Sequence, residues 1–246
     1  MKLTVVILTK NEEENIRDCI TSVDFADEIF VIDDDSSDNT REVATDLGAR
    51  VIKRSLDNNY AKQKNFALKK VKGEWVMFLD ADERVSEALK KEILDAVKKE
   101  EYSAYEFKRI DKFLGRWLKY GDIGVYRDIR MMKKNSGKWK RRVHEYFETK
   151  VKVGKLRSPI LHYSHPTVGK LIDSTNRWSS WHAGANYEEG KRSSILKIVF
   201  WPLAKFIDSY IIRRGFIDGM NGFVFAIFVC LHSFLAWSKL WLLQRK

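Results

Sequence analysis

A chain of 246 residues with 44% hydrophobic content can bury a full core, which excludes a disordered protein and suits one catalytic domain with a modest appendage. The formal net charge of +11 points toward an anionic partner, and it is segregated: residues 1–105 hold 17 basic and 23 acidic side chains, residues 106–165 hold 17 and 6, and residues 166–246 hold 11 and 5. An acidic first half beside a basic remainder fits an enzyme that holds a metal in one part and meets an anionic acceptor or a lipid surface with the other.

In chain order, the first apolar run, Leu3 to Leu8, ends at Lys10-Asn11-Glu12 with no small-residue cleavage site, so it reads as a strand and not a signal peptide, and a cytoplasmic catalytic part is expected. Three more short β-branched runs follow, Glu28 to Ile32, Ala49 to Ile52 and Trp75 to Leu79. Between and after them lie helical patterns over Glu13 to Val23, Asp38 to Leu47, Tyr60 to Val71 and Ser86 to Glu100. Ser37-Asp38 and Ser86 mark two of the helix starts, and Glu12-Glu13-Glu14 place negative charge on the first turn of another. This alternation predicts a parallel sheet with crossover helices, an α/β fold. From Ala104 to Tyr163 the pattern weakens into strand-like pieces, Tyr105 to Ile110, Ile129 to Lys133 and Lys150 to Val153. After Pro166 it turns helical, over Val168 to Tyr187, Ile195 to Ile212 and Phe216 to Leu243. The expected division is residues 1–165 as a catalytic domain, with a 1–105 nucleotide-binding half and a 106–165 acceptor half, and residues 166–246 as a helical extension. Cys19 and Cys230 have no Cys or His at the spacing of a metal or redox motif, so both are expected to be buried thiols.

Open parallel sheets bind ligands beyond the carboxyl ends of their strands. There the first strand delivers Thr9-Lys10-Asn11-Glu12, the second Asp33-Asp34-Asp35-Ser36-Ser37-Asp38, and the fourth Asp80-Ala81-Asp82-Glu83. Asp80 and Asp82 at a strand end are suited to share one Mg²⁺ or Mn²⁺, hard ions that take oxygen ligands and complete their shell with substrate phosphates. An Asp-x-Asp also arises in caps and turns; its place among three polar strand ends is what favours a metal. Asp38 itself reads as a helix cap.

The stretches Val6 to Ile16, Val31 to Thr40, Lys64 to Ala67, Trp75 to Glu83 and Val143-His144-Glu145 resemble, in order and spacing over roughly residues 1 to 165, the family 2 glycosyltransferases of the GT-A fold. The branch they resemble includes bacterial lipooligosaccharide and lipopolysaccharide core β-1,4-glucosyltransferases. The resemblance implies a UDP-sugar donor, with Thr9, Glu12, Asp33 and Asp34 around the uridine and Lys64 near the diphosphate or base. Asn11, Asn65 and Ala81 join the nucleotide site, and Asp80 and Asp82 bracket the ribose and metal. It also implies Glu145 as the base that takes the acceptor proton, with Asp122 and Asp128 as rivals, and His162 as a third metal ligand, with His165 nearby. Tyr126, Arg127 and Arg130 are expected near phosphates. Two positions depart from the family pattern: Asp35 stands where a small residue such as Gly is usual, and Arg141 stands at the Gly of the turn before His144-Glu145.

The run Asn221 to Ser238 contains no Asp, Glu, Lys or Arg and approaches the length of a membrane span. His232 and Ser233 interrupt it, Lys239, Arg245 and Lys246 close it, and Trp201, Trp237 and Trp241 flank it. The expectation is therefore an in-plane helix pair on the cytoplasmic face of the inner membrane, with a core helix or dimer contact as the competing reading. The whole reads as an inverting hexosyltransferase, for glucose above all, acting on a lipid-linked anionic core oligosaccharide. The alternatives are transfer to a polyprenyl phosphate or a protein side chain, or a catalytically inactive basic membrane-peripheral scaffold or nucleic-acid-binding module. Nucleic acid is not the expected partner, because three acidic strand ends would repel a phosphate backbone.

Overall fold

The computed structural model describes residues 2–163 and 167–245. Four apolar runs form strands β1 (Leu3–Thr9), β2 (Glu28–Asp33), β3 (Arg50–Lys53) and β4 (Trp75–Asp80). Between them lie α1 (Glu13–Thr21), α2 (Thr40–Asp46) and α3 (Tyr60–Lys70). The sheet order begins β3-β2-β1-β4, all parallel, and continues into antiparallel β8 (Arg127–Lys133) and β6 (Ala104–Phe113). All seven residues of β1 are buried, as a central parallel strand covered on both faces requires.

Alternate residues of the sheet feed two cores, following the period of two along a strand. Val5, Ile7, Val31, Met77 and Leu79 pack with Ile16, Cys19 and Ile20 of α1 and with Leu89 and Ile93 of α4 (Glu87–Lys99). Val6, Phe30, Ile32, Val76 and Phe78 pack with Ala61, Ala67 and Leu68 of α3, and with Trp139 and Phe147. Those last two belong to a two-stranded ribbon of β9 (Gly137–Lys140) and β10 (Tyr146–Thr149). Ser86 caps α4 by accepting from the Leu89 N–H. Asp38 accepts from the Thr40 N–H just ahead of α2.

Register sets up the site. Thr9 lies opposite Asp33 across the β1–β2 pair, and Leu8 lies opposite Asp80 across β1–β4. Three strands therefore end in one row. Beyond β4, the short β5 (Glu83–Arg84) pairs antiparallel with β12 (Ile160–His162), with His162 opposite Glu83. Between β10 and β12, β11 (Val153–Lys155) adds a parallel partner to the start of β6.

The chain divides into two compact units, residues 1–109 with 127–162, and residues 110–126 with 163–246. The division after residue 162 lies near the expected boundary at 165, while the 110–126 segment, expected in the acceptor half, groups with the helical part. Within that second unit, the Asn221 amide donates to the carbonyls of Phe113 and Leu114, and Asp218 accepts from the N–H groups of Lys119 and Tyr120. Phe113, Leu118, Ile123 and Leu171 form a local core there, together with the small strand β7 (Arg116–Trp117) and helix α5 (Gly121–Val125). None of these ties is visible as periodicity, since they join segments about a hundred residues apart.

The rest of that unit is α6 (Val168–Glu188), α7 (Ile195–Phe206) continued by a π-helical turn Ile207–Ile212, a 3₁₀ turn Gly215–Asp218, and α8 (Gly219–Leu243). Gly222 lets α8 run against the Gly215 carbonyl, which a Cβ would overlap. Cys19 is buried as expected, whereas Cys230, on α8, is only partly covered.

Candidate active site

Thr9, Asp33 and Asp80 reach the carboxyl edge in adjacent strands, and the first two carry unused hydrogen-bonding capacity. The Thr9 Oγ1 and one carboxylate oxygen of Asp33, Oδ1, are buried without a partner. The other oxygen of Asp33 accepts from the Ser36 N–H at 3.0 Å and faces Arg41 at 3.6 Å. Buried polar atoms are almost always satisfied, so two orphans side by side at a strand edge fit a polar ligand. Around them the loops are braced. Asp34 accepts from the Leu56 N–H and pairs with Lys10 at 2.9 Å. Asn11 accepts from the Ser37 N–H, and the Glu12 N–H donates to the Thr40 hydroxyl.

Beyond β4 lies a concentration of acid. Burial raises the Glu12 carboxyl above its usual range, and the nearby charges of Asp82, Asp38 and Asp80 push it further, against a hydrogen bond from Asn15. Carboxylates that repel one another in this way favour a cation between them. The Asp82 carboxylate sits 3.1 Å from His162 Nε2. Burial opposes its ionisation, but His162 and then Arg109 outweigh it and hold Asp82 at about 2. Asp80 leans toward Arg130, 3.6 Å away, while its N–H donates to Glu83. Ala81 is buried, and its N–H donates to the Leu8 carbonyl, which ties the acidic turn to β1. The oxygen donors of Asp80 and Asp82 with the His162 nitrogen match the chemistry of Mg²⁺ or Mn²⁺. His165, also expected in this area, lies outside the described residues.

One buried network escapes sequence reasoning. Glu83 is fully buried and Arg130 nearly so; they pair at 3.2 Å, with Asp128 3.7 Å from Arg130 and Arg109 3.9 Å from Glu83. Burial raises the Glu83 carboxyl, with Arg130 acting against it. Arg130, expected near a phosphate, thus clamps the strand ends that carry Asp80. Its position between Ile129 and Met131 was the available signal, since a charge inside an apolar strand needs a buried partner.

The third group is built on α3. Lys64 is buried, its ammonium 2.6 Å from Glu145 and 4.2 Å from the Trp139 ring centre. Asn65 grips the backbone of the same Trp139 twice, donating to its carbonyl at 2.8 Å and accepting from its N–H at 2.9 Å. The structure therefore brings Lys64, Asn65 and Glu145 together as one assembly that joins α3 to the β9–β10 ribbon. Asp128 is close enough to feel both Lys64 and Glu145; burial raises its carboxyl, which Arg130 and Lys64 counter. Asp122 lies in the other unit, paired with Arg213 at 2.9 Å, as do Tyr126 and the helical segments. Arg127 is exposed and extends toward Glu106.

Both departures from the family pattern occupy left-handed backbone, Asp35 at φ 52° and Arg141 at φ 68°. Glycine adopts that region without strain, so the backbone conformation that glycine would favour is kept at each place although the residue differs.

The family described as Glycosyl transferase family 2 matches residues 4–154. An uncharacterized glycosyltransferase of Rickettsia typhi is 30% identical, over 97% of this chain and 86% of its own. The lipopolysaccharide core biosynthesis glycosyltransferase LpsC of Rhizobium meliloti is 26% identical over 98% and 92%. Among solved structures, S. aureus TarS 1-349 in complex with UDP-GlcNAc superposes with a TM-score of 0.52 at 14% identity, covering 95% of this chain and 81% of that one. Glucosyl-3-phosphoglycerate synthase from Mycobacterium tuberculosis, in complex with Mn²⁺, UDP and glucosyl-3-phosphoglycerate, gives 0.53 at 16%, covering 78% and 81%.

Proposed function

The chain belongs to glycosyl transferase family 2, and from that premise we propose that it transfers a hexose, glucose foremost, from a UDP-sugar to a hydroxyl of a lipid-linked core oligosaccharide, with inversion. The single observation that carries the donor reading is the row of Thr9, Asp33 and Asp80, with buried oxygens of the first two unpartnered. Such oxygens can meet the donor groups of a uracil and ribose. The resemblance to TarS and to glucosyl-3-phosphoglycerate synthase, whose structures hold UDP or UDP-GlcNAc, supports a uridine donor. The LpsC relative supports the core acceptor.

In the reaction, the acceptor oxygen bonds to the anomeric carbon as the bond to the diphosphate oxygen breaks, and the electron pair leaves with UDP. The acceptor proton goes to a carboxylate, for which Glu145 is the proposed base. Lys64 holds that carboxylate in place through their 2.6 Å contact. Asp80, Asp82 and His162 would hold Mg²⁺ or Mn²⁺, which offsets charge building on the departing diphosphate. Asp128 supports a second reading for the base, because it lies close enough to feel Lys64 and Glu145 and burial raises its carboxyl above the usual aspartate range. Hydrolysis or transfer measured with purified protein across UDP-glucose, UDP-galactose and UDP-GlcNAc, with and without Mn²⁺, is expected to show one donor consumed only with the metal. Consumption of none would refute the donor assignment.

The second unit supplies an attachment to the cytoplasmic face of the inner membrane. One helix there, Gly215–Leu243, is long and apolar enough to cross a membrane. Its small residues Gly222, Ala226, Ser233 and Ala236 are buried, while Phe223, Ile227, Phe234 and Leu242 are exposed along one stripe. Helix α7 exposes Ile195, Leu196, Val199, Phe200 and Leu203. Helix α6 packs along α8 and presents Lys170, Asp173 and Arg177 to solvent, so an in-plane arrangement keeps those charges wet where a crossing would not. Lys197 over Trp237 and Arg245 over Trp241 place cations beside rings of headgroup depth. Replacing Leu196 with Ser removes about 1.5 kcal/mol of burial, and vesicle sedimentation is expected to show about tenfold weaker binding. Unchanged partition of that variant would argue against this face.

A further inference from the structure

Between α3 and the β9–β10 ribbon the protein has an open cleft of about 500 Å³, whose lining includes none of the strand-end acids. Its lining takes Arg54, Lys62 and Lys69 from α3 and the segment before it, Lys140, Arg141 and Arg142 from the β9–β10 ribbon and its loop, and the rings of Phe66 and Trp139. No carboxylate lines it among the described residues. Some of this charge is engaged. Arg54 bonds the Gln63 amide and stacks over Phe66, Lys140 is 3.8 Å from Glu148, and Arg141 and Arg142 have partners of their own. Lys62 and Lys69 are exposed about two turns apart on one face of the helix and pair with no carboxylate among the described residues.

Two features set this cleft apart from a merely solvated basic face. It is a cleft lined by cations from two separate chain segments together with two aromatic rings, and a concave surface of one sign focuses potential onto whatever enters. And Arg141 is held at φ 68°, a backbone region that penalises a side-chain-bearing residue, on a loop fixed by the Tyr60 N–H bond to the Arg142 carbonyl and by buried Val143. Strain of this kind persists where the surroundings enforce it, and it accumulates at ligand sites.

We propose that this cleft binds a phosphate group carried by the acceptor glycan. The inference rests on the transferase reading and extends it by assigning where the anion of the acceptor is held. Phosphate suits the exposed ammonium groups of Lys62 and Lys69, two point charges on one helix face, and the positive charge of Arg141 and Arg142 adds to the attraction from the ribbon side. The same short loop carries Glu145 four residues after Arg141. Four residues reach at most about 14 Å, so a phosphate seated in the cleft fixes a glycan hydroxyl within a short glycan's length of the base. The cleft thus selects acceptors by charge and sets their register, a task the donor site cannot perform.

The test uses the full chain saturated with UDP and Mg²⁺, so that the donor edge is already filled. Glucose 6-phosphate is then titrated against glucose by calorimetry, for the wild type and for Lys62→Ala/Lys69→Ala, which alters only exposed helix positions. Wild type is expected to bind the phosphosugar and not glucose, and the double variant to bind it at least tenfold more weakly while UDP affinity stays within about twofold. Arg141→Gly, which relieves the left-handed residue, is expected to melt no lower than wild type and still lose phosphosugar affinity. Equal phosphosugar binding in wild type and both variants would overturn the proposal. So would a double variant that binds the phosphosugar normally but loses binding to vesicles containing phosphatidylglycerol, since the anion would then be a lipid headgroup. Loss of UDP binding in the wild type itself would instead strike the donor reading and leave the cleft to be judged on the phosphosugar alone.

Discussion

Asp82→Asn is expected to lower sugar transfer by about a hundred- to a thousandfold, the scale seen when one preorganised electrostatic group is removed from a transition state. The amide keeps the shape of the carboxylate and can still bond His162, which lies 3.1 Å away, so the turn after β4 should hold its conformation. What is lost is the charge. Asp82 is kept ionised far below the usual carboxylate range, at about 2, by His162 and Arg109 acting against burial, and a neutral amide is a weak ligand for a hard divalent ion. UDP affinity measured with Mn²⁺ and again with a chelator separates this from a folding defect. The wild type is expected to lose affinity when the metal is withdrawn, and the variant to be indifferent. A variant with full activity, or one whose UDP affinity still responds to Mn²⁺, would remove Asp82 from the metal site.

The sheet half of this picture was legible because its signals are local. Leu3 to Leu8 and Trp75 to Leu79 are runs that only a doubly covered strand explains, and polar residues that break off such runs together mark a strand edge. Expected and observed strand bounds there differ by one residue, and the helix bounds by no more than two, the usual uncertainty at frayed ends. What was not legible depends on contacts distant in sequence. The sequence offers Arg130 as a residue near phosphates, and does not reveal its pairing with Glu83, 3.2 Å away and 47 residues earlier in the chain. The sequence offers Asn65 as a nucleotide-site residue, and does not reveal that both ends of its amide bond the Trp139 backbone. The 110–126 segment reads as part of an acceptor lobe until Asn221 and Asp218 are found bonding its carbonyls and N–H groups. In each case the residue type was chemically suggestive and the fold supplied a partner that the local pattern does not encode.

Glu145→Gln and Asp128→Asn decide the base between them. Glu145 sits on the loop between β9 and β10, anchored by the 2.6 Å contact with Lys64; Asp128 lies on β8 beside Arg130, with its carboxyl raised by burial. If Glu145 takes the acceptor proton, its amide variant should lose about a hundred- to ten-thousandfold in kcat, the span of general base catalysis, with UDP affinity within about twofold of wild type. Asp128→Asn should then cost less than tenfold, because the charges of Arg130 and Lys64 remain matched by Glu83 and Glu145. The pH dependence of kcat separates a base from a mere anchor. Loss of the base removes the acidic limb of the profile, while loss of a positioning carboxylate lowers the whole curve and leaves the limb in place. Lys64→Met gives the complementary reading: Glu145 stays chemically intact but loses its partner, so the acidic limb should survive, and the rate should fall by less than in Glu145→Gln. A larger loss in Asp128→Asn than in Glu145→Gln, with the limb abolished in the former, would transfer the role to Asp128 and leave Glu145 as the clamp that holds Lys64 against the diphosphate.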